Sequence, residues 1–303
     1  VLGIVGVGRM GGAMLPRLAA GRTVIAHDVV PSRCEPVRAA GARWSASLRE
    51  LAEQCDVLVT TLPGPEELRV VMAEALPVLR TGTLWIDCTS GDPRLTASLA
   101  EAAGRRGIEV VAAPMGGSVG EAASGSLTFF VSGDGAAVER ARPVLRTLAA
   151  EDGIRQVGQR VEDGQVVKLL ANALWFVNAT AGAEALLIGA GLGVEPERLR
   201  ALLDGSAGGS AALTNHVPRL LDGDYLETFG LDRVVEELRT VRALGTDSGS
   251  ATPVLDASAD LHEAALERFG PALGELLGAR LLEERTGRRL RRGTTDREHH
   301  RPD

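Results

Sequence analysis

Up to about residue 160 the chain alternates short β-branched apolar runs with longer stretches of helical periodicity. The runs LGIVGV, TVIAHD, DVLVTTL, TLWIDC, IEVVAAP and LTFFVSG have the length and flanking residues of buried strands. Strands that alternate with helices predict a parallel, doubly wound sheet covered on both faces. Beyond about 160 the β-rich runs stop, and 164–192, 195–204, 208–221, 228–246 and 253–283 read as helices, punctuated by GVEP, GSAGGS, DGD and GTDSGSATP. The pattern therefore predicts an α/β domain over 1–160 and an all-α C-terminal domain over 161–284, with the helix at 164–192 as the hinge. Residues 285–303, RTGRRLRRGTTDREHHRPD, are charged and nearly devoid of apolar positions, the composition of a solvated, disordered tail.

Composition narrows the class. The 303 residues are 45% hydrophobic and 24% charged, as in an ordinary globular protein. A net charge of −7 argues against nucleic acid as the main partner. Cys34, Cys55 and Cys88 are scattered and odd in number, which fits a reducing, cytoplasmic setting. None of the five histidines has metal-ligand spacing, so no metal is expected. The apolar run 166–194 is interrupted by Lys168, Asn172, Asn178 and Glu184 and reads as a core or interface helix, not a membrane span. No charged n-region with a cleavage site precedes the first strand.

Candidate chemistry begins in GIVGVGRMGGAM. Gly6, Gly8 and Gly11 stand in G-x-G-x-x-G spacing, after a predicted strand and into a predicted helix. The first glycine permits a tight turn, the second lets backbone approach a pyrophosphate, and the third allows helix and strand to pack closely. This is the dinucleotide loop of a Rossmann-type sheet. Asp28 closes the second strand, where a carboxylate accepts hydrogen bonds from an adenosine ribose and repels a 2′-phosphate. NAD is thus expected in preference to NADP, with Arg33 five residues on working against that preference.

Among 33 basic residues there is a single lysine, Lys168, in GQVVKLLANALW. A guanidinium stays protonated at any working pH, whereas an ammonium can be desolvated and made to exchange a proton. Asn172, four residues on, shares its helix face, so both side chains are expected to project into one cleft. Partial burial between the two domains would bring the lysine pKa toward the working pH. The plainer reading of Lys168 is a side chain snorkelling from the edge of a core helix.

Several ordered segments resemble the β-hydroxyacid dehydrogenases, the family that includes 3-hydroxyisobutyrate dehydrogenase and tartronate semialdehyde reductase. GVGRMG, with Arg9 and Met10, is similar to the family's G-x-G-x-M-G cofactor loop. TTLP at 60–63, with Leu62 and Pro63, resembles its strand-end turn beside the nicotinamide ribose. IDCTSGDP at 86–93 resembles its D-x-S-T-x-x-P turn, Thr89 and Ser90 being in swapped order, and APMGGSVGEAASGSL resembles its substrate segment. Gly164, Lys168 and Asn172 match its catalytic signature. The resemblance implies Lys168 as general acid/base and Asn172 as its substrate-bonding neighbour. It further implies Gly6, Gly8, Arg9, Met10, Gly11, Asp28, Leu62, Pro63 and Ser90 as cofactor contacts, and Gly116, Gly117 and Ser118 as a cradle for a substrate carboxylate. The implied activity is NAD(P)-dependent hydride transfer to or from a small β-hydroxyacid, or its semialdehyde or keto form. The poorly buried Ala/Gly-rich helix at 164–192 points to a homodimer or homotetramer.

Two departures stand out. MGGS at 115–118 puts Gly116 where the family has serine, and FGLDRVVEELRTV puts Glu236 where it has a second lysine and Glu237 where it has aspartate. An acid at 236 would repel a carboxylate substrate, unless Arg233, one turn earlier, supplies the charge. The departures keep an imine reductase-like activity on a non-carboxylate substrate as an alternative, with a non-catalytic cofactor-binding module as the third reading. A 6-phosphogluconate dehydrogenase proper is excluded by length.

Overall fold

The computed structural model describes residues 1–293. Its chain divides into two compact units, Val1–Lys168 and a second beginning at Leu169.

Nine strands make up the sheet of the first unit: β1 (Leu2–Val5), β2 (Val24–His27), β3 (Arg43–Trp44), β4 (Val57–Thr60), β5 (Leu84–Asp87), β6 (Glu109–Ala112), β7 (Met115–Gly116), β8 (Leu127–Gly133) and β9 (Ala149–Gly158). Their order is β3-β2-β1-β4-β5-β6-β8-β7, with β9 also paired to β8. Strands β1 to β6 are mutually parallel, and β8 runs antiparallel to β6. Helices α1 (Arg9–Ala19), α2 (Cys34–Ala39), α3 (Leu48–Gln54), α4 (Pro65–Ala75), α5 (Pro93–Gly104), α6 (Val119–Ser124) and α7 (Gly135–Leu145) connect them. Successive strand side chains point to opposite faces, so each run feeds two cores. Ile4, Val59, Ile86 and Val111 pack on one face with Met14 and Leu18, while Val5, Leu58, Trp85 and Val110 pack on the other with Leu51 and Met72. This two-sided burial is why the strands read as continuous apolar runs.

All six expected strands are present; β3, β7 and β9 are additional. The last spans AAEDGIRQVG, whose polar, Gly-containing sequence carries no strand signal. It pairs with β8 alone, and an edge strand buries too little to need an apolar face.

The second unit is helical. The long helix α8 (Asp163–Gly191) enters it, followed by α9 (Pro196–Asp204), α10 (Ala211–Asn215), α11 (Val217–Leu221), α12 (Leu231–Ser248), α13 (Pro253–Phe269) and α14 (Leu277–Thr286). Phe176, Leu186, Leu213, Leu220, Val234 and Leu238 lie in its core. Two expected helices are broken. His216 separates α10 from α11 inside 208–221, and the run 253–283 is cut after Phe269, where Gly270 takes a left-handed φ of 70° ahead of Pro271.

By length and composition α8 could cross a membrane, a test that the core helix of a soluble protein also passes. Its buried ridge, including Ala173, Phe176, Ala183 and Leu186, packs inside the helical unit. The unit boundary falls within α8, after Lys168, and not at 160, because the first turn of the helix is hydrogen-bonded to the sheet unit.

The expectation of a disordered tail from 285 is corrected up to 293. Residues 285 and 286 complete α14, and Leu290 is fully buried. The buried carboxylate of Glu283 accepts from Tyr225 Oη at 2.6 Å and from the Leu290 N–H at 2.7 Å, and pairs with Arg291 at 3.2 Å. A buried charge is tolerated only when so satisfied, and this one recruits the arginine-rich segment. Residues 294–303 of the expected tail lie outside the described residues.

Candidate active site

In an open parallel sheet the ligand crevice opens at the carboxyl ends of the strands where strand order reverses, here between β1 and β4. At that point Gly6 N–H donates to His27 O at 3.0 Å and Thr61 N–H to Val5 O at 3.0 Å. Gly6 has a φ of +88°, and a Cβ on it would stand 2.3 Å from Thr61 O. A Cβ on Gly11 would stand 2.1 Å from Gly6 O, whereas one on Gly8 would meet nothing within 4 Å. Two glycines are thus required by packing, and the middle one faces open space. Gly8 is also the N-cap of α1, and no side chain caps the helix there. An anion at Gly8 would take the place of the missing cap, beside Arg9 and Met10. The loop therefore fits a dinucleotide pyrophosphate.

Asp28 braces this loop: one carboxylate oxygen accepts from Val7 N–H at 2.8 Å, the other from Val30 N–H at 2.9 Å. Leu62 and Pro63 follow β4, and Ser90 follows β5. The two turns are joined by Leu62 N–H donating to Thr89 Oγ1 at 3.2 Å. Beneath them Asp87 Oδ1 accepts from Thr60 Oγ1 at 2.7 Å and from Thr89 N–H at 3.1 Å, while Trp85 Nε1 donates to Thr60 Oγ1 at 2.9 Å. Asp87 Oδ2 is buried without a hydrogen-bond partner.

Burial pushes the Asp87 carboxyl up to about 6, against the pull of its bonds to Thr60 and Thr89. Because this lies above the value of an exposed aspartate, the folded chain holds a proton that the unfolded chain has released between about pH 4 and 6. The charged form therefore costs stability above that window and not below it. We expect the stability of Asp87→Asn relative to the parent to rise by roughly 3 kcal/mol between pH 4 and 7 and then level off. Urea unfolding at several pH values checks this, and a difference independent of pH would contradict it.

The segment Gly116–Ser118 leaves β7. Gly117 has a φ of +132°. Ser118 is the N-cap of α6 and forms a capping box: its N–H and its hydroxyl both donate to Glu121 Oε2, at 2.7 and 2.8 Å. The residue expected to cradle a substrate carboxylate thus already holds a carboxylate of its own chain.

The first turn of α8 contains Gly164, whose N–H donates to Ser132 Oγ at 2.8 Å and whose Cβ position lies 2.5 Å from Phe130 O. Lys168 and Asn172 are both half-buried on this helix. Asn172 Nδ2 donates to Glu237 Oε2, on α12, at 2.7 Å. Arg233 Nη1 donates to Glu236 Oε2 at 2.9 Å. The acid at the family's lysine position is therefore paired with the arginine one turn earlier. Among the described residues, no group of three or more His, Cys, Asp or Glu side chains is placed to hold a metal ion.

Comparison with known proteins bears on the family and the fold. The NAD-binding domain of 6-phosphogluconate dehydrogenase matches residues 1–161, and the NAD-binding region of NADP-dependent 3-hydroxyisobutyrate dehydrogenase matches 163–281. L-threonate dehydrogenase of Cupriavidus necator is 32% identical over 86% of this chain and 88% of its own. The chain belongs to the β-hydroxyacid dehydrogenase family. The 3-hydroxyisobutyrate dehydrogenase of Mycobacterium tuberculosis, solved with L-serine, superimposes with a TM-score of 0.85 at 26% identity, covering 93% of this chain and 98% of that one. An imine reductase from Myxococcus stipitatus shares the fold at a TM-score of 0.61 and 22% identity, covering 93% and 99%.

A β-hydroxyacid dehydrogenase is an NAD(P)-dependent oxidoreductase, so the non-catalytic reading is set aside. Two residues beside these positions were not singled out as functional from the sequence. Gln165, inside the quoted lysine stretch, is wholly buried and polar, a combination that only the structure reveals. Glu237 was noted as a departure, and its bond to Asn172 emerges only when α8 and α12 pack.

Proposed function

We propose that the protein oxidises a small β-hydroxyacid, or reduces its semialdehyde or keto form, with Lys168 as general acid/base. NAD or NADP supplies the hydride acceptor or donor when bound. The Lys168 ammonium protonates the developing alkoxide in reduction, and the amine takes the hydroxyl proton in oxidation. Asn172 gives an amide N–H to Glu237, which orients it one turn beyond Lys168 as that lysine's hydrogen-bonding neighbour toward substrate. The backbone N–H of Gly117 receives the carboxylate; Gly116 N–H is taken up by the β7–β8 ladder, and Ser118 has a lesser role because Glu121 engages it.

The observation that carries this reading is the chain's sole lysine on α8, one turn before an asparagine whose amide orientation is fixed. The Arg233–Glu236 pair supports a carboxylate substrate over an imine, because the acid at 236 is locally neutralised. The test is turnover of small β-hydroxyacids and their semialdehydes with NAD and with NADP at mildly alkaline pH. Turnover of imines and neutral carbonyls alone would overturn the proposal. The Asp28 carboxylate favours NAD, so NADP should bind at least ~10-fold more weakly.

The family site is further proposed to work in a cytoplasmic homodimer or homotetramer. Leu170, Leu174 and Ile188 lie along one stripe of α8, Leu192 follows directly after its last turn, and the four are between 42% and 80% exposed. An apolar ridge of this length fits a second copy of the chain. Replacing Leu174 and Ile188 with glutamate should shift the sedimenting species to a monomer at micromolar concentration; a parent that already sediments as a monomer would refute the assembly.

A further inference from the structure

Gln165 is wholly buried, yet it sits only one turn ahead of Lys168 on α8. Its amide is used at both ends: Nε2 donates to Thr89 O at 2.7 Å, and Oε1 accepts from Gly91 N–H at 3.0 Å. The two bonds bracket Ser90 in the turn after β5. Thr89 in turn receives Leu62 N–H, from the turn after β4, and rests through its own N–H on Asp87. On the neighbouring side, Gly164 N–H is bonded to Ser132 Oγ, which itself donates to Val161 O at 2.7 Å. The first turn of α8 is thereby bonded to β8 and to the β5 turn at once.

A buried amide with both ends satisfied by backbone fixes distance and orientation together, since neither bond can lengthen without leaving a polar group unpaired. We propose that Gln165 is a positioning residue. It holds the base of α8, and through it Lys168, in fixed register with the Leu62–Pro63 and Thr89–Gly91 turns. It need touch neither substrate nor cofactor. The inference rests on the acid/base role given to Lys168 above. An error of about 1 Å in placing a catalytic group is enough to cost on the order of 100-fold in rate.

The test pairs Gln165→Met, which keeps length and loses both bonds, with Gln165→Glu. The latter retains an acceptor for Gly91 N–H and sets a second oxygen against Thr89 O. Amide hydrogen exchange of the cofactor-free protein is measured at 89–92 and 163–171, alongside kcat and KM of the properly folded fraction. We expect exchange in both segments to quicken by at least ~10-fold, kcat to fall ~10- to 100-fold, and the hydroxyacid KM to stay within about threefold of the parent. Unchanged exchange would overturn the proposal, as would quickened exchange with parental kcat, which would make the clamp purely structural. Failure of the functional reading is recognised separately, by absence of turnover in the parent.

Discussion

Lys168→Arg is expected to lower turnover by about 10²- to 10⁴-fold, the usual share of a positioned general acid/base, while dinucleotide affinity stays within threefold of the parent. Every other basic residue of the chain is arginine, so the substitution keeps charge, helix propensity and much of the length. What it removes is the proton exchanged at working pH. Lys168→Ala should fall as far, which separates loss of a proton from loss of a charge. Steady-state kinetics with cofactor titration by nicotinamide fluorescence decides the matter. Retention of more than about a tenth of parental kcat by the arginine variant would remove Lys168 from the chemistry.

The glycine loop yields the second large effect, because its three glycines differ in what surrounds them. Gly8→Ala places a methyl in open space, so the fold should lose at most ~1 kcal/mol. That space is where a pyrophosphate approaches backbone, and dinucleotide affinity should fall at least ~10-fold. Gly11→Ala drives a methyl to 2.1 Å from Gly6 O and 2.7 Å from Thr61 Cγ2. Neither neighbour can yield without moving the β1–α1 turn, and overpacking of this kind costs about 1–3 kcal/mol or more. Thermal melts with and without cofactor separate the two cases. A Gly8→Ala protein that binds NAD and NADP as tightly as the parent would show that the loop is only a tight turn.

Both predictions concern residues legible in the sequence. Lys168 stood out because a titratable cation had been kept where arginine is otherwise universal, and the glycines because their spacing follows a strand and opens a helix. Less legible was what holds them. Gln165 is an unremarkable polar residue in a helical run until its two backbone partners, 74 and 76 residues distant, are brought to it. Glu237 reads only as a departure from the family's aspartate until Asn172 meets it across α8 and α12. Ser118 reads as a substrate ligand until Glu121 closes a capping box on it.

By itself the sequence determined the six apolar strands, the change from α/β to all-α near 160, the dinucleotide loop and the lone acid/base candidate. Each is written in local periodicity or local spacing, which a single chain segment carries in full. Tertiary structure alone decided where β3, β7 and β9 pair, where the run 253–283 breaks, and that residues 285–293 fold back onto Glu283. It alone decided, too, that the Glu236 charge is met by Arg233 and that the helix carrying Lys168 is bolted to the β5 turn. Those features depend on partners remote in sequence, and a polar or charged residue announces its partner only when burial has removed the water that would otherwise serve it.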